Sequence, residues 1–204
     1  TILTRRARNK TKKNKMKKIK KHFHRYILFI LIAGNALVWS AVFADTNDGI
    51  LTVAFLYIGQ GDAIYIEAPN GNQILLDGGP NKSVLAELGR VMPRYDTSLD
   101  MIIASHPDKD HIGGLPAVLG RYTVLSVVEP GVDHDTAVYQ EFERLITEKE
   151  IPKILARRGM RFVLDGEAGV FLDILLPDGD VTGWETNDAS ILARLSYGEE
   201  SLML

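Results

Sequence analysis

The run His106-Pro107-Asp108-Lys109-Asp110-His111, closed by Gly113-Gly114, constrains this chain more than any other stretch. It places four side chains able to bind a metal ion within six residues. Directly ahead of it, Met101-Ile102-Ile103-Ala104 reads as a short buried strand. The polar run is therefore expected on the loop at that strand's carboxyl end, where a rigid sheet holds functional groups in place. The plainer alternative is a solvated acidic loop with two incidental histidines.

The mixture of residue types suits a metal. Neutral imidazole and ionised carboxylate both bind Zn²⁺ at about 2.0–2.2 Å, and carboxylates also accept harder ions such as Mn²⁺. In an extended segment, His106, Asp108 and Asp110 are expected on one side because the side-chain period is two. His111 then faces the other way and can serve a second ion. Two ions about 3.5–4 Å apart can clamp both oxygens of a displacement, which is hydrolytic chemistry. No cysteine occurs, so disulfides, thiolate catalysis and thiolate-bound metal are excluded.

From residue 49 onward the chain reads as one domain without repeats. Strands are expected over 50–56, 63–67, 73–76, 124–128, 161–164, 170–176, 191–196 and 201–204, and helices over 83–91, 114–121 and 136–148. Pro69-Asn70-Gly71-Asn72 is a hairpin turn signal. The helix over 136–148 is amphipathic, with Val138, Phe142, Leu145 and Ile146 on one face, and it closes before Pro152.

Charge is unevenly spread. The first 25 residues hold twelve of the 24 Lys and Arg residues and no acidic one, leaving twelve basic residues against 26 acidic ones in the remainder. That balance disfavours nucleic-acid binding through a general positive field. Lys153, Arg157, Arg158 and Arg161 form the one dense basic cluster outside the leader, and an ordinary solvated surface is its plainer explanation.

Four stretches, in order, resemble one family. They are Leu56-Tyr57-Ile58-Gly59-Gln60-Gly61-Asp62-Ala63, Ile74-Leu75-Leu76-Asp77-Gly78-Gly79, the metal run from Ser105 to Leu115, and Asn187-Asp188-Ala189-Ser190-Ile191-Leu192. Together they resemble the metallo-β-lactamase superfamily, in the variant with Asp108 where a second histidine is usual. Within it they resemble the hydrolase domain of ComEC-like DNA-uptake proteins.

The resemblance implies an α/β fold, a layered αββα sandwich with metals at one edge of its two sheets. It implies two divalent ions, Zn²⁺ or Mn²⁺, held by His106, Asp108, Asp110 and His111, with Asp110 also orienting the attacking water. Asp77 would support the ligand loop from behind, besides capping its own turn. Gln60, Asp62, Asn187 and Ser190 match polar positions near the cleft, although turn formation explains each equally well. His134 is the remaining histidine of the domain and a candidate ligand, the commoner reading being a solvated loop histidine. DNA or another phosphodiester is the implied substrate, with small-ester, lactam or thioester hydrolysis and a non-catalytic module as alternatives. In the family an aspartate ligand follows the last strand and a histidine comes later. Neither is present here, so the site and the second sheet are expected to be incomplete, with apolar sheet surface left exposed.

Ahead of the domain, residues 26–44 are uncharged and mostly apolar, directly behind the basic run 17–25. The length is near the ~20 residues that span a bilayer, Tyr26 and Trp39 fall near the interfaces, and the basic side would stay cytoplasmic. Val42-Phe43-Ala44 before Asp45 equally fits a signal-peptide cleavage site. Either way the domain is expected outside the cytoplasmic membrane, anchored to it or secreted. The chain begins at Thr1, and Met16-Lys17-Lys18 is a conventional opening for such a leader.

Overall fold

The computed structural model describes residues 22–40 and 49–204. The basic run before His22 and the expected cleavage site Val42-Phe43-Ala44 lie outside the described residues. The chain divides into two units, Thr1–Thr46 and Asn47–Leu204. In the first, helix α1 (His22–Ser40) has 19 residues and a mean hydropathy of 1.3. It starts ahead of Tyr26 and takes in His22, His24 and Arg25. It is long and apolar enough to cross a membrane, a test that a signal sequence also passes.

The second unit opens with an antiparallel meander of β1 (Thr52–Phe55), β2 (Ile64–Glu67) and β3 (Gln73–Leu76). The expected hairpin turn joins the last two, with Gly71 at φ 88° and its N–H donating to the Ala68 carbonyl at 2.8 Å. From β3 the sheet continues in parallel through β5 (Met101–Ile103), β7 (Val127–Glu129) and β8 (Lys153–Leu155), in the order β1-β2-β3-β5-β7-β8. Parallel neighbours need crossovers, and these are helical. They contain α2 (Val84–Val91), the short α3 (Lys109–Ile112), α4 (Leu115–Arg121) and α5 (Ala137–Glu148). A small parallel pair, β4 (Ser98–Leu99) with β6 (Thr123–Val124), flanks this sheet.

Alternation along the strands divides the interior in two. Tyr65, Leu75, Ile102 and Val127 pack with Val84, Leu88, Leu115, Leu119, Phe142 and Ile146 of the helices. Their neighbours Ile64, Ile66, Ile74, Leu76, Ile103 and Val128 face a second sheet. Burial on both faces is why Ile74-Leu75-Leu76 and Met101-Ile102-Ile103 are unbroken apolar runs. The second sheet is antiparallel: β9 (Arg161–Asp165), β10 (Val170–Leu176), β11 (Leu192–Tyr197) and β12 (Glu200–Met203), in the order β12-β11-β10-β9. Leu164, Val170, Leu172, Ile174, Ala193 and Leu195 form its inner face.

Two readings need correction. The strand expected over 124–128 is two strands in different sheets, because the chain crosses from β6 to β7 at Leu125-Ser126. Leu125 is exposed there, and the Ser126 hydroxyl donates to the Asp100 carbonyl at 3.0 Å. The extended segment expected over 106–110 is instead a bend followed by a helical turn. Asp108 has extended backbone angles, φ −74° and ψ 144°, but its carbonyl accepts the N–H groups of His111 and Ile112, which starts α3.

Candidate metal centre

Three loops meet at the carboxyl end of β3 and β5. The β3 ladder runs one residue past the strand, with the Asp77 N–H donating to the Ile103 carbonyl at 2.8 Å. Asp77 then takes φ 59°, a left-handed conformation that aspartate tolerates better than most residues. The next two amides tie the loops together, Gly78 N–H to the His111 carbonyl at 2.7 Å and Gly79 N–H to the Asp62 carbonyl at 2.9 Å. Glycine is required where backbones touch: a Cβ on Gly61 would lie 1.8 Å from the Asp110 carbonyl oxygen, and one on Gly114 2.1 Å from that of Gly78.

Because α3 begins at Lys109, His106 and His111 do not point to opposite sides. Their rings lie face to tilted face, with centroids 3.9 Å apart and an interplanar angle of 48°. Both Nδ1 atoms turn inward, to Ser105 Oγ at 3.0 Å from His106 and to Asp77 Oδ2 at 2.7 Å from His111. Asp77, fully buried, also accepts the Ser105 N–H at Oδ1 (2.7 Å) and approaches the Ser105 hydroxyl at Oδ2 (2.6 Å). Asp77 thus ties together the Ser105 backbone and hydroxyl and the His111 ring. Ser105 is a contact that the sequence reading missed, and its position between a buried strand and the first histidine was the available signal.

The environment treats the two rings differently. Burial, and then the neighbouring His111, hold the His106 pKa below the usual histidine range. Burial works the same way on His111, but its hydrogen bond to Asp77 and the charges of Asp77, Asp110 and Asp62 outweigh it and raise the pKa.

The donors have the chemistry a divalent ion needs. With both Nδ1 atoms engaged, each ring has its Nε2 left to bind, the usual arrangement of metal-ligating histidine. His106 Nε2 lies 3.6 Å from Asp108 Oδ2, within reach of two bonds of about 2.1 Å to one ion. Among the described residues, however, no three His, Asp or Glu side chains converge as a finished cage. The fit is to an edge of donors, His106 with Asp108 and His111 alongside. Asp110 acts on both rings through its charge, its backbone packed on Gly61.

Of the other polar candidates, Gln60 and Asp62 are exposed on the loop that meets Gly79. Asn187 and Ser190 form a turn, the Ser190 N–H donating to the Asn187 carbonyl at 3.2 Å, and the next amide, Ile191, donates to the Ser105 carbonyl at 2.9 Å. That turn is therefore pinned beside the histidines. His134 stands on the loop before α5, its Nδ1 turned to Thr136 Oγ1 at 3.0 Å. The basic cluster is largely neutralised: Lys153 pairs with Glu129 and Glu143, Arg158 with Asp178, and Arg161 with Asp173. Arg157 donates to the Pro130 and Ala156 carbonyls.

Among solved structures, a metallo-β-lactamase from Cronobacter sakazakii with a HARLDQ motif superposes with a TM-score of 0.50 at 14% identity, over 74% of this chain and 57% of that one. The metallo-β-lactamase SMB-1, bound to 2-mercaptoethanesulfonate, superposes with a TM-score of 0.51 at 16% identity, over 74% of this chain and 60% of that one. The fold is that of the metallo-β-lactamases. The chain spans less than two thirds of the length of these metallo-β-lactamases. No family model and no curated protein matches it.

Proposed function

We propose that this protein is an exported metal-dependent hydrolase of the ComEC-like branch of the metallo-β-lactamase superfamily, acting on phosphodiesters such as DNA. The observation that carries the hydrolase reading is the pair of stacked histidines, each with Nδ1 anchored and Nε2 left to bind, beside Asp108. A divalent ion bound there supplies a water acidic enough to be a nucleophile near neutral pH and offsets charge on the substrate oxygens. The chain's own residues do the rest. Asp77 and Ser105 fix the rings, and Asp110, whose charge acts on both of them, is the group the motif assigns to orienting the attacking water. Export is supported by α1, and the branch and its DNA substrate by the ordered motifs.

A second reading, hydrolysis of a small ester, lactam or thioester, is favoured by one observation: three of the four residues of the basic cluster, Lys153, Arg158 and Arg161, are paired with carboxylates, which weakens it as a track for a polyanion. The protein in its full encoded length should bind one or two divalent ions and cleave single-stranded DNA. Chelation should abolish turnover, and His106→Ala or Asp110→Ala should lower both metal content and rate. Turnover of a chromogenic lactam or ester without DNA cleavage selects the second reading. Metal content unchanged in both variants makes the motif a surface loop. A reporter fused after Gly49 should be active only outside the cytoplasmic membrane, and a cytosolic signal would remove the export claim.

A further inference from the structure

Ser105 sits at the centre of the four-residue network behind the histidines, and its single hydroxyl proton decides how that network is wired. A carboxylate accepts only, a neutral imidazole donates from one nitrogen and accepts at the other, and a serine hydroxyl donates once. Ser105 Oγ lies 2.6 Å from Asp77 Oδ2 and 3.0 Å from His106 Nδ1, and 3.4 Å from His111 Nδ1, whose shorter contact is the one of 2.7 Å to Asp77 Oδ2. If the hydroxyl proton went to His106, the serine lone pairs would face a carboxylate oxygen at 2.6 Å with no proton between them. A contact that short is the mark of a charge-assisted hydrogen bond, so the proton goes to Asp77. The hydroxyl can then only accept from His106, which must carry its hydrogen on Nδ1.

We propose that Ser105 is a positioning residue that relays the buried carboxylate of Asp77 to His106, so that one aspartate sets the tautomer of both histidines. His111 receives the instruction directly, donating from Nδ1 to Asp77 Oδ2 at 2.7 Å. For His106 it passes through the hydroxyl. Both rings then present a bare Nε2 lone pair. That of His106 faces Asp108 Oδ2 at 3.6 Å, two acceptors with no hydrogen to share, which is the arrangement of two ligands facing one cation. The consequence for metal affinity rests on the hydrolase reading above, whereas the relay is a property of the metal-free protein.

The test is histidine-ring nitrogen NMR on the metal-free, full-length protein at a pH where both rings are neutral, with Zn²⁺ titration as the second readout. The wild type should show the Nδ1–H tautomer at both His106 and His111. Ser105→Ala should move His106 toward the Nε2–H tautomer, leave His111 unchanged because its anchor is Asp77, and weaken Zn²⁺ binding by about 10–100-fold. Ser105→Thr, which keeps the hydroxyl, should restore both. An Nε2–H tautomer at His106 in the wild type overturns the proposal without any variant, which keeps it testable should Ser105→Ala fail to fold. A His106 tautomer unaffected by Ser105→Ala, or both rings changing together, also overturns it. Tautomers as assigned in a protein that binds no Zn²⁺ would leave the relay standing and remove the hydrolase reading.

Discussion

The two sheets share a core but not a situation. The first has helices on one face and the second sheet on the other, so its central strands are apolar throughout and their carboxyl ends are held from both sides. The second sheet buries only its inner face; Val163 and Met203, on its outer side, are 59% and 52% exposed. Alternation is clearest along β11, where Ala193 and Leu195 are buried and Arg194 between them is exposed, as expected of an antiparallel sheet with one wet face. At the centre of that face Asp173 is clamped by Arg161 (2.5 and 3.0 Å) and Arg194 (3.0 Å), and the Arg161 guanidinium lies 4.9 Å above the Phe171 ring. Every site side chain except the Asn187–Ser190 turn hangs from the first sheet or its loops. Burial on both faces is what lets strand ends fix a loop to within a hydrogen bond, and the second sheet serves mainly to close the core from behind.

The sharpest test of that contrast uses one residue type in both settings. Phe142 on α5 is fully buried against the first sheet, whereas Phe171 on β10 points outward beneath Arg161. Phe142→Ala should cost about 3–5 kcal/mol in denaturant unfolding. Phe171→Ala should cost about 1 kcal/mol, the scale of a partly exposed ring and one cation–π contact. Equal losses would mean that both outer faces are packed and that the comparison fails.

A smaller effect is expected at the charge clamp. Hydrogen bonding from Arg161, against a modest burial penalty and with help from Arg194, pulls the Asp173 pKa down to about 2. A depressed carboxylate stabilises the fold fully above its unfolded value, near 3.9, and loses that contribution as pH falls through the folded value. Asp173→Asn should therefore cost about 1–2 kcal/mol near neutral pH, discounted because both arginines are about half exposed. The difference from wild type should shrink on acidification toward about pH 2. A gap that stays constant in denaturant titrations across that range would show that the clamp acts by shape and not by charge.

The same contrast explains what the sequence made legible. Double burial writes apolar runs and helical periodicity into the chain, so the strands ending at Leu76 and Ile103 and the helix around Phe142 could be read directly. The hairpin at Gly71 was legible because its turn needs a positive φ. Edges were not. Strand β8 is three residues, Lys153-Ile154-Leu155, none of them buried, and it read only as part of a basic cluster. The partners that neutralise this cluster, Glu129, Glu143, Asp173 and Asp178, come from other elements and leave no local trace. At the site, the clustering of polar residues after a buried strand was legible, but the packing of the His106 ring on that of His111 was not. Period-two alternation presumes a strand, whereas in this segment the Asp108 carbonyl accepts the His111 and Ile112 amides to start α3, and the Gly61 and Gly78 loops approach it closely.

The smallest expected effect tests whether the outer face of the second sheet is open to water at all. Val163 lies opposite Phe171 across the β9–β10 ladder and is 59% exposed. Val163→Thr keeps the β-branch, and so the strand preference, while replacing a methyl by a hydroxyl. On a wet face that exchange should change stability by less than about 0.5 kcal/mol, the usual range for surface substitutions. Under a covering layer the hydroxyl would be stripped of water without a partner and cost about 1–3 kcal/mol. The measurement is the unfolding midpoint of both proteins at two protein concentrations. A large loss that is independent of concentration would place a further part of the same protein over this face. A loss that grows on dilution would place a second molecule there, and in either case the two sheets would be alike in being buried on both sides.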